Sequence, residues 1–311
     1  MDEAWECIIV GGGAAGLSAA LVLGRARKRT LLIDGGCQSN LPAEGIGGLL
    51  GHDGRPPSEL YAAARRELAA YPTVELRRGD VTSGRRNGRR VEIGLGDGSG
   101  HRAHRVLLAT GMEYQRPALP GIEQRWGRSV FHCPFCHGWE VRDRQLGVLD
   151  PGVTGPRRAL LLREWSDSVT LYANGPAAFT DEGVARLDTA GVLIEPRPIA
   201  ELVGPGPSLR AVRFADGSER TCEGLLVAVT LGQRTGLAVQ LGVALADPGP
   251  LALDAAGIDA MYRTNVPEVY AAGDTAAVMP SVAAAIAAGS AAAAVIVHDL
   301  VATRHGLPVA A

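Results

Sequence analysis

The chain has 311 residues, more than one average domain, and 46% of them are hydrophobic, enough for two buried cores. A formal charge of −2 and a pI near 6.4 leave no electrostatic footprint for nucleic acid or an anionic membrane surface. Arginine is abundant while Lys28 is the single lysine, which reads as coding bias and not as a binding surface.

Asp2, Glu3 and Glu6 precede the first apolar run, the reverse of the basic start of a secretory signal. With five cysteines, an odd number, the expectation is a cytoplasmic protein with one functional disulfide. The run Cys7-Ile8-Ile9-Val10 predicts a buried strand, residues 17–24 a helix, and Thr30-Leu31-Leu32-Ile33 a second strand ending at Asp34. That is one βαβ unit. Residues 58–70 predict a helix, and residues 74–78 and 91–95 predict hairpin-like strands separated by Gly, Arg and Asn turns. Residues 105–111 form another apolar strand closed by Gly111.

Pro and Gly between Pro117 and Gly121 mark a crossing into a second domain. It carries a second βαβ-like unit: strand 146–149, helix 157–165 and strand 169–172. Strand 224–230 and the turn Gly232-Gln233-Arg234 lead back. Strand 269–272 then precedes the Ala-rich segment 282–297, which is too small-chained and interrupted for a membrane span and predicts a tightly packed helix. The expected fold is α/β, with two Rossmann-like three-layer domains, the second inserted in the first: 1–116, 117–238 and 239–311.

The glycines Gly11, Gly13 and Gly16 lie between a predicted strand and a predicted helix, as Gly-x-Gly-x-x-Gly. Gly11 permits a tight turn, Gly13 lets the backbone approach a pyrophosphate, and Gly16 lets helix and strand pack closely. Asp34, eighteen residues after Gly16, is placed to accept from ribose hydroxyls. Gly273-Asp274 ends a strand, and its carboxylate can address a ribitol hydroxyl; the alternative is an ordinary turn. The matching loop of the second unit reads Asp150-Pro151-Gly152-Val153-Thr154-Gly155. Asp150 would repel a pyrophosphate, Pro151 lacks a donor N–H, and no arginine follows the next strand to pair a 2′-phosphate. This speaks against NADPH binding there.

Cys133-Pro134-Phe135-Cys136-His137 can close a small disulfide ring and pass two electrons. A zinc site would need two further ligands at similar spacing, and Cys7, Cys37 and Cys222 are scattered singly, so no metal is expected. His137 can move the thiol proton near neutral pH, with His132 a second candidate. Phe135 and Trp139 could meet an apolar substrate or pack in a core. Asp53 could cap a turn while His52 could reach a cofactor. Cys37 reads as a loop thiol, and Cys7 and Cys222 as core residues.

Together these residues resemble the low-molecular-weight thioredoxin reductase family of FAD-dependent disulfide oxidoreductases, over nearly the whole chain. The resemblance implies FAD held by Gly11, Gly13, Ala14, Ala15 and Gly16, by Thr110-Gly111 at the strand end, by Asp34 on the adenosine ribose, and by Gly273-Asp274 on the ribitol. It also implies a homodimer, with Cys136 facing the flavin and Cys133 meeting the substrate. Thioredoxin reductases proper usually carry Cys-Ala-Thr-Cys-Asp, a Gly-rich NADPH loop with a His-Arg-Arg cluster, and Arg-Gln at the last helix, where this chain has Val282-Ala283. The Cys-Pro-Phe-Cys-His core is closer to the family's dithiol-oxidase branch, the gliotoxin- and holomycin-type enzymes. The expected activity is oxidation of a small-molecule or peptide dithiol to its disulfide, with oxygen as acceptor. The alternatives are a thioredoxin reductase acting on a thioredoxin-like protein, fed by NADPH or another reduced carrier, and a non-catalytic flavoprotein redox sensor.

Overall fold

In the computed structural model, which describes residues 4–276 and 279–308, strands and helices alternate from the first apolar run onward. In chain order the first elements are β1 (Trp5–Val10), α1 (Ala14–Arg25), β2 (Thr30–Asp34), α2 (Pro57–Leu68) and β3 (Val74–Arg78). Then come β4 (Val81–Asn87), β5 (Arg90–Leu95), β6 (Gly100–Leu108), β7 (Met112–Gln115), β8 (Val130–Phe131) and α3 (Pro134–His137). The middle holds β9 (Leu146–Leu149), α4 (Gly155–Leu162), β10 (Val169–Tyr172), α5 (Asp181–Thr189) and β11 (Leu193–Glu195). After β12 (Ile199–Val203), β13 (Ala211–Phe214), β14 (Glu219–Thr221) and β15 (Gly224–Val227), the chain returns through β16 (Thr230–Gln233) and α6 (Leu237–Gln240). It ends with β17 (Val269–Ala271) and α7 (Val282–His305).

Two compact units result. Unit 1 comprises Met1–Ser39, Ser58–Tyr114 and Thr230–Ala311; unit 2 comprises Asn40–Pro57 and Gln115–Val229. The division departs from the sequence boundaries at residues 40–57, 115–116 and 230–238. Residues 230–238 stay with unit 1 because β16 pairs with β7 and Leu237 and Leu241 pack over Gly84 of β4. Residues 40–57, which have no periodic pattern to betray them, pack with unit 2: a Cβ on Gly47 would lie 2.6 Å from the Cys136 carbonyl oxygen.

Among the described residues, unit 1 holds a seven-stranded sheet in the order β3-β2-β1-β6-β5-β4, with β17 also on β6. The pairings among β1, β2, β3, β6 and β17 are parallel, and those of β5 with β4 and β6 antiparallel. Buried on both faces, β1 sends Cys7 and Ile9 to one core, against α1 and α7, and Ile8 and Val10 to the other. The expected hairpin of 74–78 with 91–95 does not form. Val74–Arg78 extends the parallel edge on β2, while β5 pairs with β4 and β6, because the polar stretch 81–87 is itself a strand. Unit 2 holds a five-stranded parallel sheet, β11-β10-β9-β15-β8, and an antiparallel β12-β13-β14 sheet.

By length and composition alone α7 is apolar enough to cross a membrane. Its buried residues, Ala285, Gly289, Ala292, Ala293 and Ile296 among them, instead belong to the unit 1 core. Its Asp299 binds the Arg263 guanidinium through both oxygens, each at 2.9 Å, and accepts from the Tyr270 hydroxyl at 2.6 Å. Close approach sets the position of this helix: a Cβ at Gly289 would lie 2.0 Å from the Ala15 carbonyl oxygen. Gly289→Ala gains about 1 kcal/mol of helix propensity, but overpacking of that contact costs about 1–3 kcal/mol. Net destabilisation is the expected outcome, read as a lower urea midpoint; a midpoint at or above that of the wild type would show that α7 shifts freely on α1.

Candidate cofactor and redox sites

In unit 1 the turn from β1 into α1 is shaped by backbone contact. Gly11 has φ +112°, and a Cβ there would sit 2.1 Å from the Ala109 carbonyl oxygen, so β1 and the Ala109-Thr110-Gly111 strand end touch only because the side chain is missing. Gly13 is the N-cap of α1 in extended backbone, with no side-chain cap and no acidic residue in the first turn. The first N–H groups, of Ala14, Ala15 and Gly16, are thus left for an external acceptor. By contrast α7 is capped by its own Ser281, whose hydroxyl oxygen accepts from the Ala284 N–H at 3.1 Å.

Asp34 lies over this turn. Gly12, a wild-card position of the motif, must be glycine because a Cβ there would lie 2.3 Å from Asp34 Cγ. Oδ1 of Asp34 accepts from the Gly36 N–H (2.8 Å) and from Gln38 Nε2 (2.9 Å), and Gln38 also ties to the Gly12 carbonyl. Oδ2 accepts from Arg65 at 2.6 Å. A carboxylate offers about four acceptor sites, so Oδ2 retains one for a ribose hydroxyl. On the other side Gly273 meets Ala15, where its Cβ would be 2.8 Å from Ala15 Cβ. Asp274 accepts from the Tyr114 hydroxyl at 3.0 Å. Burial raises the Asp274 carboxyl above its ordinary range, while Tyr114 and the Arg234 charge pull it back. Arg234 is itself fixed on the Met112 and Cys37 carbonyls, and the Thr110 and Thr275 hydroxyls meet at 3.3 Å. Ala272, Gly273, Asp274 and Ser281 line a cleft of about 220 Å³.

The structure therefore brings Gly11, Gly13, Ala14, Ala15, Gly16, Asp34, Thr110, Gly111, Gly273 and Asp274 around one turn of unit 1. Uncapped donors, a free carboxylate acceptor and glycine clearances fit a dinucleotide. Gln38, Arg65, Tyr114 and Arg234 complete the site; no motif marks them, and Arg65 and Arg234 arrive from distant segments.

In unit 2 Cys133 and Cys136 form a disulfide, their Cα atoms 5.3 Å apart. Cys133 is the extended N-cap of the single-turn α3, and Pro134 starts it with φ already set. His137 is built into the wall: Nε2 is 3.0 Å from the Gly127 carbonyl oxygen and the ring stacks on Phe131 with centroids 5.6 Å apart. A carbonyl only accepts, so Nε2 carries the proton and Nδ1 the lone pair. Nδ1 is buried with no hydrogen-bond partner. Burial lowers the His137 pKa, against the Gly127 and Cys133 carbonyls and the Glu140 charge. His132 stacks on Trp126 and is pushed down to about 4 by burial, then by the charges of His137 and Arg158.

Phe135 and Trp139 are each 65% exposed. Phe135 meets Trp165 edge-on and Arg142 covers Trp139 at 3.9 Å, so neither is a core residue. Asp53 ties the 45–55 loop through the Gly48 N–H, while Arg55 donates to His52 Nδ1 at 3.2 Å. Cys37 is exposed, whereas burial pushes the Cys7 and Cys222 thiols up to about 12. Among the described residues no group of three or more His, Cys, Asp or Glu is placed to hold a metal ion.

The second glycine loop is closed from within. Asp150 is 3% exposed; it accepts from the Gly152 N–H (2.9 Å) and the Thr154 hydroxyl (2.7 Å), and Arg158 Nε lies 3.1 Å away. The carboxylate expected to repel a pyrophosphate points inward and occupies its donors.

Gly12→Ala is expected to displace Asp34 and remove a charged hydrogen bond of about 1.5–3 kcal/mol, roughly ten- to a hundredfold in FAD affinity. Flavin content after purification checks this against Gly100→Ala, whose Cβ has 3.8 Å of clearance and should leave the protein yellow. Burial depresses His104, His132 and His137, and of these His132, brought down to about 4, sets a pH dependence. Between the ordinary 6.5 and about 4 the unfolded chain binds protons that buried His132 refuses, so stability is full above 6.5 and falls as pH drops through that window. Urea midpoints from pH 7 to 4 should fall, and His132→Gln should flatten the fall; an unchanged slope in that variant would assign it elsewhere.

A family model described as pyridine nucleotide-disulphide oxidoreductase matches residues 5–289. Thioredoxin reductase tcpT of Claviceps purpurea (strain 20.1) is 30% identical, over 97% of this chain and 96% of the relative. Thioredoxin reductase sirT of Leptosphaeria maculans is also 30% identical, over 92% and 91%. The crystal structure of HlmI superposes with a TM-score of 0.92 at 34% identity, covering 98% of this chain and 95% of that one. An oxidoreductase from Agrobacterium tumefaciens gives 0.88 at 35% identity, over 94% and 97%. With a dinucleotide turn, a Cys-x-x-Cys disulfide and a family match spanning both, the chain belongs to the pyridine nucleotide-disulphide oxidoreductase family as an FAD-dependent, thioredoxin reductase-like enzyme.

Proposed function

We infer that the protein oxidises a dithiol to a disulfide at Cys133–Cys136, and that the electrons pass through FAD to oxygen. The observation that carries this direction is the closed β9–α4 loop: Asp150 holds the Gly152 N–H, Thr154 and Arg158, the donors a reduced dinucleotide would need. A disulfide open to substrate with no dinucleotide loop beside it in unit 2 is suited to receive electrons from a thiol.

One substrate thiolate attacks a sulfur of the Cys133–Cys136 bond, that bond breaks, and the departing cysteine takes a proton. The second substrate thiol, giving up its proton, attacks the mixed disulfide. Substrate disulfide leaves, and the chain holds a dithiol with two electrons and two protons gained. By family resemblance Cys133 meets the substrate and Cys136 faces the cofactor. His137, directly after Cys136, is the residue that takes and returns a thiol proton in this reading. Bound FAD supplies the two-electron acceptor that returns the cysteines to disulfide, with oxygen reduced to hydrogen peroxide. Exposed Phe135 and Trp139 beside the cysteines favour an apolar small-molecule or peptide dithiol. The name shared by tcpT and sirT supports a second reading, reduction of a thioredoxin-like protein with NADPH or another reduced carrier as donor. The homodimer is part of the same inference by resemblance.

Anaerobic mixing of the yellow protein with dithiothreitol should bleach the flavin absorbance, and air should restore it with release of peroxide. Rapid bleaching by micromolar NADPH would overturn the inference. Cys136→Ser should abolish turnover and leave FAD bound; a colourless variant would mark the residue as structural.

A further inference from the structure

The hairpin between β4 and β5 reads Arg85-Arg86-Asn87-Gly88-Arg89-Arg90, four arginines in six residues that neither the cofactor site nor the disulfide uses. Gly88 turns the chain at φ +62°, and nothing lies within 4 Å of where its Cβ would be. The ladder pairs Arg85 with Glu92, Asn87 with Arg90, and Glu92 with Arg102 of β6. Residues two apart on a strand share a face. Arg85, Asn87, Arg90, Glu92, Arg102 and His104 therefore stand on one face of the β4-β5-β6 sheet, and Glu92 is the only acid among them. It is fully engaged, pairing with Arg85 at 2.5 Å and Arg102 at 3.2 Å and accepting from Asn87 at 3.1 Å. Arg86, on the other face, is held by Glu268. Arg89 and Arg90 are exposed and have no acidic partner among the described residues. The surplus charge reaches His104: burial first, then Arg90 and Arg105, hold that imidazole below its ordinary range. Glu6 acts on it in the opposite sense, but that carboxylate is already taken by Lys28 and Arg304.

Two plain accounts cover part of this cluster. Composition explains why the cations are arginine, since the chain has one lysine, but not why five of them gather at one end of a sheet. Charge on an outer strand guards it against pairing with another chain, and β4 is the outer strand. That serves for Arg85 and Arg86, and leaves Arg89 at the turn, Arg90 on β5 and Arg102 on β6 unaccounted for. Like charges set side by side on a sheet repel, and an acidic ligand relieves the repulsion.

We propose that this hairpin face docks an acidic peptide segment of a partner protein, whose carboxylates take the Arg89 and Arg90 guanidinium groups and share Arg85 and Arg102 with Glu92. Guanidinium forks match carboxylates in geometry as well as charge. Nucleic acid and lipid fit less well. Among the described residues no exposed large apolar side chain lies between 81 and 104 to stack on a base or enter a bilayer. A formal charge of −2 also opposes a long polyanion beyond the patch. Docking here is independent of the direction of electron flow at Cys133–Cys136.

The probe is a fluorescein-labelled polyglutamate peptide, titrated by fluorescence anisotropy with the full-length, FAD-loaded protein. Binding should be saturable at about 25 mM salt and at least about tenfold weaker at about 300 mM, where exposed charges are screened. The double variant Arg89→Glu, Arg90→Glu should weaken it at least about tenfold, the loss of two to three exposed ion pairs. Arg89→Gln with Arg90→Gln removes the charge without reversing it and should move affinity the same way, so a folding fault in the first variant does not stop the test. Arg144→Glu with Arg157→Glu, two exposed arginines of unit 2, changes the net charge as much as the first variant and should leave affinity within about twofold. All three variants should stay yellow and bleach with dithiothreitol as the wild type does. Absence of saturable binding to the wild type would overturn the proposal, as would equal weakening by the two charge-reversal variants. Tighter binding of a labelled single-stranded oligonucleotide or of phosphatidylserine vesicles at the same arginines would overturn it too.

Discussion

A helix that starts directly from a buried strand presents N–H groups with no acceptor of their own, and something must satisfy them. The two βαβ turns of this chain answer that demand in opposite ways. After β1, Gly11 brings no side chain, Gly13 caps nothing and the first turn carries no acid, so the donors of α1 wait for an external anion. After β9, the residue at the place of Gly11 is Asp150, which supplies the anion from within. The matching position is glycine in the first turn and aspartate in the second, and of the two only aspartate brings an acceptor of its own.

The open turn demands precision around it. Gly16, Gly12 and Gly273 each stand where a Cβ would collide with a neighbour, Gly11 O, Asp34 and Ala15 respectively. These contacts lock the strand end, the β2 acid and the β17 acid together before any ligand arrives. Gln38 and Arg65 then hold Asp34 in one orientation, and Tyr114 and Arg234 hold Asp274, so that cofactor binding meets groups already aligned.

Much of this was legible in the sequence, for a definable reason. Strands buried on both faces read as largely apolar runs, and β2, β9, β10, β15, β17 and the C-terminal parts of β1 and β6 are of that kind. The glycine and acid positions followed from spacing. What escaped was whatever depends on distant segments. β4 is polar and half-exposed, so its pairing with β5 shows no period, and Val74–Arg78 joined β2 rather than a hairpin. Residues 40–57 pack with unit 2 through a glycine contact on Cys136 that no local pattern encodes. Asp150 was visible as an obstacle, but its inward turn depends on Arg158 and Thr154 coming round the first turn of α4.

The geometry of unit 2 joins these threads. A disulfide is an electron acceptor until reduced, and what reduces it must reach it. In unit 2 the loop that would bring a reduced dinucleotide is closed by its own carboxylate, whereas the cysteines are flanked by two exposed aromatic rings. Leaving Phe135 and Trp139 in water forgoes about 1.5–3 kcal/mol of burial for each. A fold that buries Phe131 and Phe214 completely has the means to bury more. Apolar surface kept beside a reactive bond is recovered when a substrate covers it, and this supports the proposed entry of electrons from the substrate side of Cys133–Cys136.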